Sequence, residues 1–271
     1  MTHSSLYWHC ATYVANANGN RRPPHEHQLI AVAGIRVGGE GEDDTGQNLI
    51  VDVWGLASPK PQKLIRATVA NTAPHDEFVT FYGRSFGLPV LAANALKTGV
   101  QLGYIGVNEQ HQDLTETVRN LIAPSNGLTF DAVLDLMQLP MRPELDILAT
   151  WESQNPKVKQ RIPQRLVIDC CFIALTQVRL RYLVSDVGAE YVRNFTRAVL
   201  SAAAAKVPKV KTVFADLLAE LAGAPAKVAN TNESEEDDLD DEPETDNETT
   251  ADVVDSLGSF DDFDDLDDDD L

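Results

Sequence analysis

Apolar residues alternate with polar or small ones along residues 5–14 (SLYWHCATYV), a period of two that predicts a β-strand. After a polar loop, His27–Val37 (HQLIAVAGIRV) and Asn48–Leu56 (NLIVDVWGL) predict a second and a third strand. The Gly/Glu/Asp run 38–47 between them has the composition of a hairpin connection. Lys60–Asn71 carries apolar residues at helical spacing, Glu77–Tyr82 (EFVTFY) predicts a fourth strand, and Ser85–Thr98 predicts a helix. From residue 112 onward the period is mostly helical, with helices over Asp113–Ile122, Thr129–Met137, Arg165–Leu183, Glu190–Lys206 and Val213–Ala222. Thr129 is placed to cap its helix just before an apolar face. Three strands, a helix, a strand and then helices define an α/β or α+β domain with one mixed sheet. Element order alone does not select the fold.

Val79–Leu91 reads VTFYGRSFGLPVL. This segment resembles the second motif of the predicted PolB-like 3′–5′ exonucleases, a branch of the DnaQ-like (DEDD) proofreading exonucleases. That motif runs roughly V-T-F-N-G-R-S-F-D-L-P-V-L, and eleven of thirteen positions agree. Further similarities follow in the family's order. His111-Gln112-Asp113-Leu114 resembles its H-x-D-L segment, and Leu128–Pro140 (LTFDAVLDLMQLP) resembles its L-x-L-x-x-x-A-x-x-L-G-L-P helix. Cys170–Arg181 (CCFIALTQVRLR) resembles the third-motif helix, and LYWHCATYV stands in the place of the first motif, whose core is D-x-E-T. The resemblance spans residues 5–185 and implies a ribonuclease H-like α/β fold: a mixed sheet with flanking helices.

The departures bear on activity. These nucleases hydrolyse phosphodiesters with two divalent metals held by four carboxylates, which need to be hard oxygen ligands. Here the D-x-E core reads His9-Cys10-Ala11, and the second-motif Asp is Gly87. The third-motif Asp falls on Ile173 or Phe172, and its general-base Tyr falls on Asp169 or Ile168, depending on a one-residue register. The resemblance therefore implies a catalytically silent fold with no metal and no cofactor. An active enzyme with a rebuilt site would have to draw on Asp52, Asp113 and Asp169. A third alternative is an unrelated α/β domain.

Charge separates the chain into regions. The net charge is −20, yet Thr231–Leu271 holds 21 acidic residues and no basic one, which leaves residues 1–230 at +1. Within that body, residues 157–211 carry 11 bases against three acids. Such a face is a credible phosphate track, or else a set of solvated helix surfaces. A fold that once held single strands can keep its groove, and losing four carboxylates removes charges that repel phosphate. The nucleic-acid contacts expected are Arg84, Lys157, Lys159, Arg161, Arg165, Arg179 and Arg181, with Tyr7 and Tyr82 as stacking surfaces. By strand alternation Tyr7, His9, Ala11 and Tyr13 share the face of the old site, whereas Trp8 and Cys10 turn to the core. For any one of these aromatics, core packing is an equal alternative. His25-Glu26-His27 could clip a metal, but it has no third ligand and reads as solvated loop. His9 could pair with Asp113.

Residues 228–256 are rich in Asp, Glu, Asn and Thr, a composition that predicts disorder. Beyond them Phe260, Phe263, Leu266 and Leu271 are set into a polyanion. This end resembles the acidic tips of bacterial and phage single-stranded-DNA-binding proteins, which recruit replication and repair partners and compete with DNA for the binding groove. A solubility tail is the alternative. The domain reading is an exonuclease-like body over 1–207, an appended helix over 208–226 and the tail over 227–271. Three cysteines are too few for a disulfide framework, no stretch approaches the ~20 apolar residues of a membrane span, and no secretory signal is apparent, so a cytoplasmic protein is expected. The expected partners are single-stranded DNA, with RNA as the alternative strand, and replication or recombination proteins at the tail. An active 3′–5′ exonuclease and a nucleic-acid mimic that blocks a basic protein are the competing functions.

Overall fold

A computed structural model of the chain describes residues 4–14, 22–39, 45–73, 76–103, 105, 111–121 and 129–223. The chain divides into two compact units, Met1–Lys227 and Val228–Leu271, and the sheet with its helices belongs to the first. Among the described residues, the strands β1 (Ser4–Tyr13), β2 (Gln28–Gly39), β3 (Leu49–Ala57), β4 (Asp76–Thr80) and β5 (His111–Asp113) form one sheet in the order β3-β2-β1-β4-β5. β1–β2 and β2–β3 pair antiparallel, while β1–β4 and β4–β5 pair parallel. β2 therefore runs against the other four. The chain lays out β1, β2 and β3 in one direction, then crosses back to build β4 and β5 on the other side of β1. The order reverses between β1 and β4.

The helices are α1 (Pro61–Ala70), α2 (Leu88–Thr98), α3 (Leu114–Leu121), α4 (Phe130–Leu136), α5 (Ile147–Glu152), α6 (Pro156–Lys159), α7 (Arg161–Leu183), α8 (Ala189–Lys206), α9 (Lys209–Val213) and α10 (Ala215–Leu221). They cover both faces of the sheet. Leu6 and Trp8 of β1, with Val32 and Phe78, pack with Leu64 and Ile65 of α1 and Val90 and Leu91 of α2. Tyr7 and Ala11 of β1, with Ala33 and Ile35, pack with Cys170, Ile173 and Ala174 of α7 and Val199 and Leu200 of α8. The period of two along β1 thus feeds two separate cores, and each fully buried large side chain contributes ~1.5–3 kcal/mol. Helix α7 is apolar all round its middle because it lies on β1, β2 and β3 beside α8, with Phe214 packed on its Phe172. Thr129 caps α4 as the sequence predicts, its Oγ1 accepting from Ala132 N at 3.2 Å.

Several expectations change. β5 is only three residues long, below what a period of two can reveal. The expected hairpin connection lies partly on residues 40–44, outside the described residues, although β2 and β3 do pair as a hairpin requires. The segment 208–226 is not one appended helix. Its described part is α9 and α10, and Val210 and Phe214 are buried in the main core, with the Phe214 ring 4.7 Å from that of Phe172. Among the described residues no helix is long and apolar enough to cross a membrane. Cys10, Cys170 and Cys171 are free thiols.

Candidate functional site

The C-terminal ends of β1 and β4 open into a cleft of about 920 Å³. This is the switch point of the strand order, where open α/β sheets characteristically bind ligands. β1 ends there irregularly, with a bulge in its pairing between Ala11 and Thr12, a device that re-aims side chains beside a site. After β4 the chain turns sharply. Tyr82 takes a left-handed conformation (φ 60°), and a wide π-helical turn over Gly83–Gly87 leads into α2. A Cβ on Gly83 would stand 1.9 Å from Thr80 Oγ1, so the turn closes only over a glycine. Asp113, buried at the end of β5, holds this turn by accepting from Arg84 N at 2.8 Å and from Thr115 N at 3.0 Å.

His9, Ala11, Gly87 and Tyr82 all line the cleft. No carboxylate stands among its described lining residues. Gly87 is tightly packed, because a Cβ there would lie 3.1 Å from Cζ3 of Trp8. Trp8 is itself held by packing against Phe78 and by Nε1–H donation to Thr68 at 3.4 Å. Ile173 is fully buried and does not reach the cleft.

Asp169 occupies the inner edge of the site. It is 4% exposed and receives the Nε–H of Arg165 at 3.1 Å. Arg142 lies 3.6 Å from the same oxygen and grips Asp131 with two hydrogen bonds of 2.6 and 3.0 Å. That guanidinium holds the Asp131 carboxyl below its ordinary pKa. His9 Nε2 lies 3.9 Å from Asp169 Oδ2, so its partner is Asp169 and not Asp113. Burial lowers the His9 pKa, Asp169 opposes the shift, and Arg142 and Arg165 add to it. The imidazole is accordingly neutral at pH 7. A divalent metal pair does not fit this arrangement. Guanidinium groups already balance Asp169, and among the described residues no three His, Cys, Asp or Glu side chains converge on one point. Asp52 of β3 and Asp113 of β5 lie on opposite edges of the sheet, four strand spacings or about 19 Å apart.

The expected contacts divide. Tyr82 is exposed on the cleft. Tyr7 is corrected: it is 1% exposed, packs edge-on against Phe195 and donates its hydroxyl to Gln177 at 2.5 Å. Burial raises its pKa, and it presents no face to a base. Tyr13 instead donates to Glu152 at 3.2 Å. None of the seven expected cations lines the cleft. Arg84 pairs with Glu116 at 2.9 Å, Arg165 with Asp169 and Arg181 with Asp186 at 2.6 Å, while Arg179 donates to the Met137 carbonyl. Lys159 lies over the Trp151 ring at 4.8 Å, and Lys157 and Arg161 are exposed. The basic residues of 157–181 therefore do not extend the lining of this cleft. His27 is corrected too, since both of its ring nitrogens are engaged, by Thr12 and by the Arg22 carbonyl. Phe260, Phe263, Leu266 and Leu271 lie outside the described residues.

Sequence reasoning missed Arg22, Phe86, Arg119 and Leu148, which also line the cleft. The only sequence signal for Arg119 is its place beside Val118 on the helix after His111–Leu114. Cys10 also reaches the cleft, but burial pushes its thiol up to about 12 and leaves it unreactive. Compared with models of known families and with curated proteins, the chain matches no family model and no curated protein.

Proposed function

We propose that this chain is a non-catalytic single-stranded-DNA-binding protein built on an inactivated, ribonuclease H-like 3′–5′ exonuclease fold. One observation carries the reading: three positions at which the resembled family holds its metals, His9, Ala11 and Gly87, share one cleft with no carboxylate in its described lining. Such a cleft suits a polyanion better than a metal pair. The mixed sheet with helices on both faces is the arrangement that the resemblance calls for. The separation of Asp52 from Asp113 argues against a rebuilt metal site. In this reading the acidic tail recruits replication or recombination proteins through Phe260, Phe263, Leu266 and Leu271, in a cytoplasmic setting.

A gel shift with a labelled single strand of about 30 nucleotides tests it, run with and without magnesium or manganese. Retardation without shortening is expected. Metal-dependent shortening would make the chain an active exonuclease. Neither effect, together with tight capture of a basic protein, would make it a nucleic-acid mimic. Deleting residues 228–271 removes 21 acidic residues and should raise strand affinity most at low salt.

A further inference from the structure

We propose that the strand crosses the cleft between Arg22 and Arg119, with Tyr82 as the stacking surface between them. The inference rests on the nucleic-acid reading above and gives that site its contacts. The cations expected from sequence lie outside the lining of the cleft, whereas these two arginines belong to it. Arg119 is exposed on α3 and makes no ion pair among the described residues. Arg22 pairs with Glu26 at 3.6 Å, but both side chains are about two-fifths exposed. Such a surface pair contributes less than about 1 kcal/mol and exchanges readily for a phosphate.

The two cations enter from opposite sides. Arg22 precedes β2 and Arg119 follows β5, and those strands stand three spacings apart, about 14 Å. β1 and β4, with His9, Ala11 and Thr80, form the floor between them. Tyr82 rises from this floor at 38% exposure, its ring edge-on to Phe81 at 4.8 Å. An aromatic residue in the left-handed region costs about 1–2 kcal/mol, and such outliers persist where a site uses them. Stacking on a tyrosine face tolerates any base, so the site would follow the backbone and not the sequence.

The test is binding of a labelled oligothymidylate to the full chain, without divalent metal, across a salt series. Arg119→Gln and Arg22→Gln should each lower affinity several-fold and flatten the slope of log K against log salt by about 0.7. Tyr82→Leu should lower affinity at least about fivefold and leave the slope unchanged. The pair Lys157→Gln/Arg161→Gln should change neither. Wild-type slopes retained in both arginine variants, or a loss confined to the Lys157/Arg161 pair, would overturn the inference and leave the nucleic-acid reading standing. A wild-type chain that retains no strand would overturn both.

Discussion

Asp169 and Arg165 stand one turn apart on α7, and the guanidinium donates to the buried carboxylate at 3.1 Å. With Arg142 on the same oxygen, two organic cations neutralise an acid at the edge of the candidate site. Removing one partner of a buried pair leaves an unbalanced charge. Because Arg142 remains, Arg165→Met should cost about 2 kcal/mol in urea unfolding. Combining it with Asp169→Leu should cost less than the two single changes added together. Additive losses would mean that the pair is not coupled.

The fold should weaken as pH falls below neutrality. Burial lowers the folded-state pKa of His9, and of His111, below the ordinary histidine value. In that window the unfolded chain binds more protons than the folded one, so stability rises with pH. The contribution is complete above pH ~6.5 and shrinks as pH drops through that value toward the lowered pKa. A Tm series from pH 7.5 to pH 5 should show this fall, and His9→Asn should flatten part of it.

Tyr82→Asn separates stability from binding. Asparagine tolerates the left-handed region that tyrosine occupies here, so the variant should unfold at higher denaturant by about 0.5–1 kcal/mol. It also removes the exposed ring, so strand affinity should fall. A loss of both properties would mean that the ring is part of the packing.

Gly83→Ala should cost about 2–3 kcal/mol in thermal or urea unfolding. The added methyl meets Thr80, whose Oγ1 lies 2.9 Å from His111 Nε2. A neutral result would show that the turn relaxes freely.

Alternation along β1 separated two faces, since Trp8 and Tyr7 enter different cores, but it set the site on the Tyr7 face, whereas Trp8 and Cys10 also line the cleft. It could not assign depth. Tyr7 and His9 share a face, but Tyr7 lies under Phe195 whereas His9 stands at the end that opens into the cleft. Charge counting has a related limit: eleven bases over 157–211 say nothing of direction, and Arg165 and Arg181 meet acids four and five residues along while Arg179 meets the Met137 carbonyl. Arg119 and Arg22, isolated in sequence, meet at the cleft only because β2 and β5 flank β1 and β4. Positions 9, 11 and 87 share the cleft because β1 and β4 run parallel and the turn after β4 carries Gly87 back beside β1.

The Trp8 ring stands 3.1 Å from where a Cβ at position 87 would lie. Trp8 is also wedged against Phe78 and tied to Thr68, so it can move only by loosening the sheet's α1 face. A side chain introduced at position 87 therefore asks Trp8 to give by a few tenths of an ångström, against its contacts with Phe78 and Thr68. Positions 8 and 87 are thus set as a pair, and a change at either is read through the room the other leaves.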